Sequence, residues 1–300
     1  MFNILVLGDT LFVCDALVKH LINKGHEVDL LTSENITLNY MGYRTHIICN
    51  RRSEEDLRKV LKNKHYDIVF DISAYNKDDI EILFNCLDSK SLKKYIFFSS
   101  AAVYIPSKEI TFENSPKGEN SILGEYGLNK LNAEEYINDL INNNSVKAII
   151  FRTSYIYGKG NNLYRENYFF DKIMNNEIIY IPNNDVKIQF IHIDDLVKIC
   201  ECALYNDNLN RAYNVTSPNQ ISWRELVETC GNILKIKPTI KEVDINSPLL
   251  RDFPFKNVDL NLNITDLREN GFHLPVIYLD QGLKLTFNSD LKNKKTNGLG

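Results

Sequence analysis

The stretch FNILVLGDTLFVCDALVKHLINKGHEVDLL, residues 2–31, decides the fold. Residues 2–7 form a continuous apolar run that stops at Gly8. A strand covered on both faces reads this way, because neither side of it meets water. In residues 11–24 the apolar side chains Leu17, Val18, Leu21 and Ile22 fall on one side of a helix, and Gly25 suits the turn that ends it. Residues 26–31, HEVDLL, read as a second strand. Strand, helix and strand in so short a span make a βαβ unit with its strands parallel.

The same alternation continues down the chain. Strands are expected at residues 47–49, 67–72, 95–99 and 146–151, and helices at 54–62, 78–87 and 125–142. This pattern implies an α/β fold with a mostly parallel sheet covered on both faces. After about residue 158 it loosens. Residues 158–162 read as a loop, 169–175 as a helix and 187–193 as a strand. The next helix is expected to be capped by the carboxylates of Asp194 and Asp195. An amphipathic helix over 222–234 is entered through Ser222, with Glu225 completing a capping box. The implied division is a nucleotide-binding domain over 1–160, to which 186–220 return, and a smaller C-terminal substrate lobe from 161–185 and 221–287. The chain after residue 235, rich in Asn, Asp and Leu, is expected to be irregular, and residues 288–300 are polar and are expected to form a mobile tail.

With 300 residues, 44% hydrophobic and 25% charged, the chain can bury a sizeable core without disulfides or metal. Its net charge of −4 argues against a protein built to grip nucleic acid or an acidic membrane surface. The short basic runs at 62–65 and 292–295 read as solvated faces. None of the six cysteines forms a C-x-x-C pair, so no metal site is expected. No apolar run approaches the roughly 18 residues of a membrane span. No basic and then apolar leader follows Met1, and a cytoplasmic location is expected.

Between the first strand and helix lies the loop GDTLFVC, residues 8–14. In a dinucleotide-binding loop three glycines permit the turn, the approach to pyrophosphate and the packing of helix on strand. Only Gly8 stands at such a position here, with Leu11 and Cys14 at the other two. The second strand carries no carboxylate at its end for an adenosine ribose, and no arginine for a 2′-phosphate. The hydroxyls of Thr32 and Ser33 suit either form of the cofactor, and Arg51 follows the third strand where an adenine or its phosphate would reach. NAD and NADP both stay open, with NAD the first choice.

Tyr126-Gly-Leu-Asn-Lys130 carries the strongest chemical signal. Residues i and i+4 share a helix face. An ammonium there favours the phenolate of a tyrosine whose ordinary pKa is about 10, so the phenol can exchange a proton with a carbinol near neutral pH. Ser100 ends a strand at the sheet edge where ligands bind, placed to hydrogen-bond the same oxygen.

Seven stretches come in one order: ILVLGDTLFV, YDIVFDISAY, YIFFSSAAVY, YGLNK, RTSYIYGKGN, QFIHIDDL and AYNVTSPNQISWRELV. In these the chain resembles the extended short-chain dehydrogenase/reductases, the NAD-dependent epimerase/dehydratase family acting on sugar nucleotides, from about residue 2 to about 287. The resemblance implies a Rossmann-type doubly wound parallel sheet and a catalytic set of Ser100, Tyr126 and Lys130. It implies pyrophosphate contacts from Gly8, Thr10, Leu11 and Phe12, and nicotinamide-side contacts near Ser73, Ala74 and Ile156. His192 is expected to be packed and not catalytic. A homodimer through the helix carrying Tyr126 is the expected assembly.

Departures from the family pattern narrow the reaction. Dehydratases look like T-D-E-V-Y, and Ala101 and Ala102 stand where that acid and base would be. SAAVY, residues 100–104, is closer to the S-A-T-V-Y of 4-epimerases, and a one-way 4-ketoreductase would use the same residues. Many relatives hold the nucleotide diphosphate with an arginine at the place of Ile188, so Lys187, Arg165, Arg251 and Asn162 are the candidate substrate contacts. The segment GKGNNLYRENYFFDKI, residues 158–173, also resembles a branch that includes chloroplast RNA-binding proteins, which lack an intact Y-x-x-x-K. Because this chain keeps that motif and is acidic, the enzyme reading is preferred over an RNA binder or a non-catalytic nucleotide binder.

Overall fold

The computed structural model describes residues 1–8 and 12–297, with side chains as far as residue 289. The first half alternates as expected: β1 (Asn3–Leu7), α1 (Val13–Asn23), β2 (Glu27–Thr32), β3 (Thr45–Ile48), α2 (Glu54–Leu61), β4 (Ile68–Asp71), α3 (Lys77–Cys86), β5 (Lys94–Ser100), α4 (Glu125–Asn142) and β6 (Ala148–Thr153). After these come β7 (Tyr155–Tyr157), α5 (Glu166–Met174), β8 (Ile178–Pro182), β9 (Ile188–His192), α6 (Ile193–Tyr205), β10 (Arg211–Val215), β11 (Gln220–Ile221), α7 (Trp223–Leu234), β12 (Thr239–Val243), α8 (Thr265–Glu269) and α9 (Leu279–Asn297).

Seven strands form one parallel sheet in the order β10-β6-β5-β4-β1-β2-β3. Side chains alternate across it. Ile4 and Val6 join the core under α1 and α6, whereas Leu5 and Leu7 join the core under α2, α3 and α4. Both faces are buried, which is why β1 reads as unbroken apolar sequence. Each fully buried aliphatic side chain there contributes about 1.5–3 kcal/mol. The strand order reverses between β1 and β4, and the crevice beyond their carboxyl ends is where such sheets bind ligands.

A three-stranded sheet, β11-β9-β7, and the β12-β8 pair lie outside the main sheet. A third core of Tyr157, Phe169, Phe170, Phe190, Trp223 and Phe255 holds α5, α7 and these strands together. The capping box of Ser222 and Glu225 opens α7.

Three expectations need correction. The cap of α6 is His192, whose ring nitrogen accepts from the Asp194 N–H at 3.2 Å. Asp195 instead accepts from the Val276 and Ile277 N–H groups and pairs with His273, tying α6 to the chain before α9. The segment after residue 235, expected to be irregular, holds β12, α8 and α9. The polar tail begins inside α9, which continues to Asn297.

Candidate active site

Ser100 ends β5, and its hydroxyl accepts from the Ala102 N–H at 3.2 Å, turning the chain into a single 3-10 turn. Helix α4 crosses directly over that turn. A Cβ on Gly127 would stand 2.1 Å from the Ala102 carbonyl oxygen, so only glycine lets the helix approach so closely. This approach brings Tyr126 to the wall that Ser100 also lines, where the Ser100 hydroxyl favours the phenolate. The Tyr126 ring is 42% exposed, yet its hydroxyl sits deep enough for burial to raise its pKa above the usual phenol value. Ser100 and the Arg165 charge offset part of that rise.

Lys130 lies one turn further along α4 and is buried. Its ammonium donates to the Ala74 and Phe98 carbonyls, each at 2.7 Å, and stands 4.9 Å from the Phe97 ring centre. Burial lowers its pKa from 10.5 to about 8. Four residues on, Glu134 is locked to the sheet by Arg152 at 2.6 Å and by the Ser99 hydroxyl. Arg152 also donates to the Tyr104 hydroxyl. This network holds the Tyr126–Lys130 face of α4 against β5 and β6.

A cavity of about 380 Å³ opens between the sheet tips and the third core. Of the expected site residues, Phe12, Ser100, Tyr126, Ile156, Asn162 and Arg165 line it. Gly8 follows β1 at the crevice, and a Cβ there would sit 2.8 Å from Cys14, so the glycine serves the packing of α1 on β1. Ala74 accepts from Lys130, and its N–H donates to Asp71 at 2.9 Å. Ser33 is exposed just beyond β2, whereas Thr32 is buried with its hydroxyl bonded to the Glu34 carbonyl and to His46. Thr10 and Leu11 lie outside the described residues.

Three expected contacts are not in the site. The Arg51 guanidinium is buried in a two-pronged pair with Asp71, at 2.6 and 2.8 Å, and also donates to Ser73 and to the Asp79 carbonyl. It fixes the loop after β4 and is not a phosphate ligand. Lys187 reaches Glu225 at 3.3 Å and does not line the cavity. Arg251 is an exposed side chain beside Asp252, likewise away from the cavity. The reading missed Lys256, Leu123, Val258 and Leu260, which do line it. Lys256 sits in a stretch without periodicity, so nothing local marked it. Its carbonyl accepts from the Tyr155 hydroxyl at 3.1 Å, and the Arg165 guanidinium lies 5.4 Å from the Tyr155 ring centre.

The donor set suits the reactive half of a nicotinamide dinucleotide. Lys130 commits two of its three N–H groups to carbonyls, leaving one for a ribose hydroxyl. Ile156 offers an apolar wall. At the adenosine end the Thr32 hydroxyl is engaged with the Glu34 carbonyl and His46.

Comparison with known proteins agrees with this geometry. The family model described as the NAD dependent epimerase/dehydratase family matches residues 4–216. The chain is 24% identical over 311 residues to a chloroplast stem-loop binding protein of 41 kDa from Arabidopsis thaliana, covering 96% of this chain and 79% of that protein. It is 25% identical over 313 residues to the ADP-L-glycero-D-manno-heptose-6-epimerase of Brachyspira hyodysenteriae, covering 94% and 95%. The crystal structure of the UDP-glucose 4-epimerase of Thermotoga maritima with UDP-glucose superposes with a TM-score of 0.82 at 20% identity, covering 97% of this chain and 99% of that one. The Rossmann-type sheet and a family match over most of its length place this chain in the NAD-dependent epimerase/dehydratase family.

Proposed function

We propose that the chain is a nucleotide-sugar 4-epimerase in which Ser100, Tyr126 and Lys130 act on a sugar carbinol. The placement of the Ser100 and Tyr126 side chains on the wall of one cavity that also holds the cations Arg165 and Lys256 carries this reading. Two cations beside a hydroxyl pair suit a sugar bearing a diphosphate.

In the oxidising direction Tyr126 accepts the carbinol proton as phenolate, while Ser100 donates a hydrogen bond to the same oxygen. In the reducing direction Tyr126 returns that proton. A bound nicotinamide dinucleotide supplies the acceptor and donor of the hydride. Lys130 and the Ala74 carbonyl would hold its ribose end, with Ile156 against the nicotinamide. The cofactor is of NAD type, and NAD is the preferred form. With Ala101 and Ala102 beside Ser100 there is no carboxylate in that turn for eliminating water, which disfavours 4,6-dehydration.

Burial favours the protonated phenol of Tyr126, and a protonated phenol is the form that reduces a ketone. That observation supports a 4-ketoreductase as the second reading. The name of the Arabidopsis relative raises a binding role on the same fold, in which Tyr126 would have no chemical task.

One experiment separates these. The protein is incubated with UDP- and dTDP-sugars, with and without added NAD(P)H, and products are followed by NMR. An epimer without net consumption of nicotinamide supports the first reading, and stoichiometric consumption the second. Tyr126→Phe is expected to lower turnover by about 10²–10⁴-fold. No conversion of any sugar, or full activity in that variant, would sink the assignment.

A further inference from the structure

The loop between β7 and α5 carries three residues that line the cavity: Asn162, Leu163 and Arg165. Lys159, Gly160 and residues 162–164 are exposed, so little apolar burial holds this loop. It is tied instead to one carboxylate beneath it. Glu166, buried in the first turn of α5, accepts from the Gly158 N–H at 3.2 Å and from the Asn161 side-chain amide at 2.8 and 3.2 Å. Asn161 passes the tie onward, because its side-chain oxygen accepts from the Leu163 N–H at 3.1 Å. The Leu163 carbonyl in turn accepts from the Arg165 N–H at 2.8 Å. The Arg165 guanidinium is thereby set over the Tyr155 and Phe255 rings, 5.4 and 5.7 Å from their centres.

These loop contacts to the Glu166 carboxyl all come from N–H groups. A carboxylate can accept every one of them, whereas a carboxylic acid turns one oxygen into a donor that faces another donor. We propose that Glu166 is a positioning residue, whose ionised carboxylate holds the 158–165 loop and so sets Arg165 and Asn162 at the cavity. Burial raises its pKa to about 7, against the pull of its N–H donors and of Arg165, so the hold weakens as pH falls through neutrality. Tyr157 on β7 and Cys230 on α7 feel the same charge, and Asp195 on α6 and Asp280 on α9 act on Tyr157. His192, at the end of β9 close to Gly158, has its pKa lowered by burial and stays neutral across this range. The effect on substrate rests on the proposed function, whereas the hold on the loop does not.

Glu166→Gln keeps the shape of the side chain and presents a neutral group at every pH. Hydrogen exchange over residues 158–165 and UDP affinity by calorimetry are read for both proteins from pH 5.5 to 8.5. At pH 8.5 the variant is expected to exchange about 10-fold faster across the loop and to bind UDP about 10-fold more weakly, the worth of a hydrogen bond to a charged group. At pH 5.5 the two proteins are expected to converge. Taking the ratio of the two proteins cancels the titration of UDP itself. Wherever a sugar is converted, KM should follow that ratio while kcat changes less. Asn161→Ala gives a reading that does not depend on the folding of Glu166→Gln: with one donor fewer for the carboxylate, the midpoint of the pH profile should move up. Equal exchange at pH 8.5, measurable but equal affinity there, a difference that does not change with pH, or an unmoved midpoint in Asn161→Ala overturns the proposal. A pH-dependent difference in exchange, with UDP bound by neither protein, supports the hold on the loop and sinks the nucleotide-sugar reading alone.

Discussion

Lys130 makes stability and function oppose one another, and the conflict is measurable. Its ammonium is buried beside two carbonyls, and burial lowers its pKa from 10.5 to about 8. Between those values the unfolded chain holds the proton and the folded chain has released it. The unfolded state then binds more protons, so stability rises with pH across that window and is flat below it. Each pKa unit is worth 1.36 kcal/mol, so the whole rise is about 3 kcal/mol. From pH 8.5 to 9.5 the share of Lys130 is about 1 kcal/mol. Tyrosines with a raised pKa, such as Tyr126, titrate in the opposite sense at higher pH, so the comparison needs a variant lacking only the ammonium. Lys130→Met supplies it. Urea unfolding of cofactor-free protein, followed by Trp223 fluorescence and far-ultraviolet dichroism, gives the stability of each form at pH 7.5, 8.5 and 9.5. The native protein should gain about 1 kcal/mol over the variant per unit above pH 8, while the variant loses turnover at every pH. Parallel stability curves for the two proteins would refute the buried-ammonium argument.

Other substitutions probe the frame around the site. Gly127→Ala would ordinarily favour a helix by roughly 1 kcal/mol; here its Cβ meets the Ala102 carbonyl at 2.1 Å, so Tm should fall and kcat drop about 10²-fold, and a raised Tm with full kcat would contradict the close approach of α4. Arg165→Ala removes one of two cavity cations, and steady-state kinetics should show KM raised about 10- to 100-fold with a smaller change in kcat. Arg152→Met leaves Glu134 buried without its partner, and urea unfolding should show a loss of about 3–5 kcal/mol.

What the sequence made legible follows from which forces act locally. Buried parallel strands read as apolar runs, so β1, β4 and β5 were found to within a residue or two. Helix α4 was placed at its observed bounds, Glu125–Asn142. Residues whose partners come from distant chain were misread. Arg51 looked free because Asp71 lies 20 positions away and meets it only once β4 is in the sheet. Lys187 looked free because Glu225 reaches it from the start of α7. Asp195 looked like a cap, but its carboxylate has stronger claims from two N–H groups 81 and 82 residues on. Strand β12 escaped notice because TIKEV is half exposed and short, and pairs only with β8.

The loop after β1 keeps one glycine of three, and the contacts that set the position of Tyr126 lie elsewhere. Three contacts set the position of Tyr126: Gly127 against the Ala102 carbonyl, Lys130 on the Ala74 and Phe98 carbonyls, and Glu134 on Arg152. All three join α4 to the tips of β4, β5 and β6. The Arg51–Asp71 pair adds a fourth tie, because Asp71 accepts from the Ala74 N–H and so fixes the carbonyl that holds Lys130. On the proposed function, substitutions in the glycine loop are therefore expected to change cofactor affinity and to leave the position of Tyr126 alone. That separation is why a worn fingerprint and an intact Y-x-x-x-K can coexist in one chain.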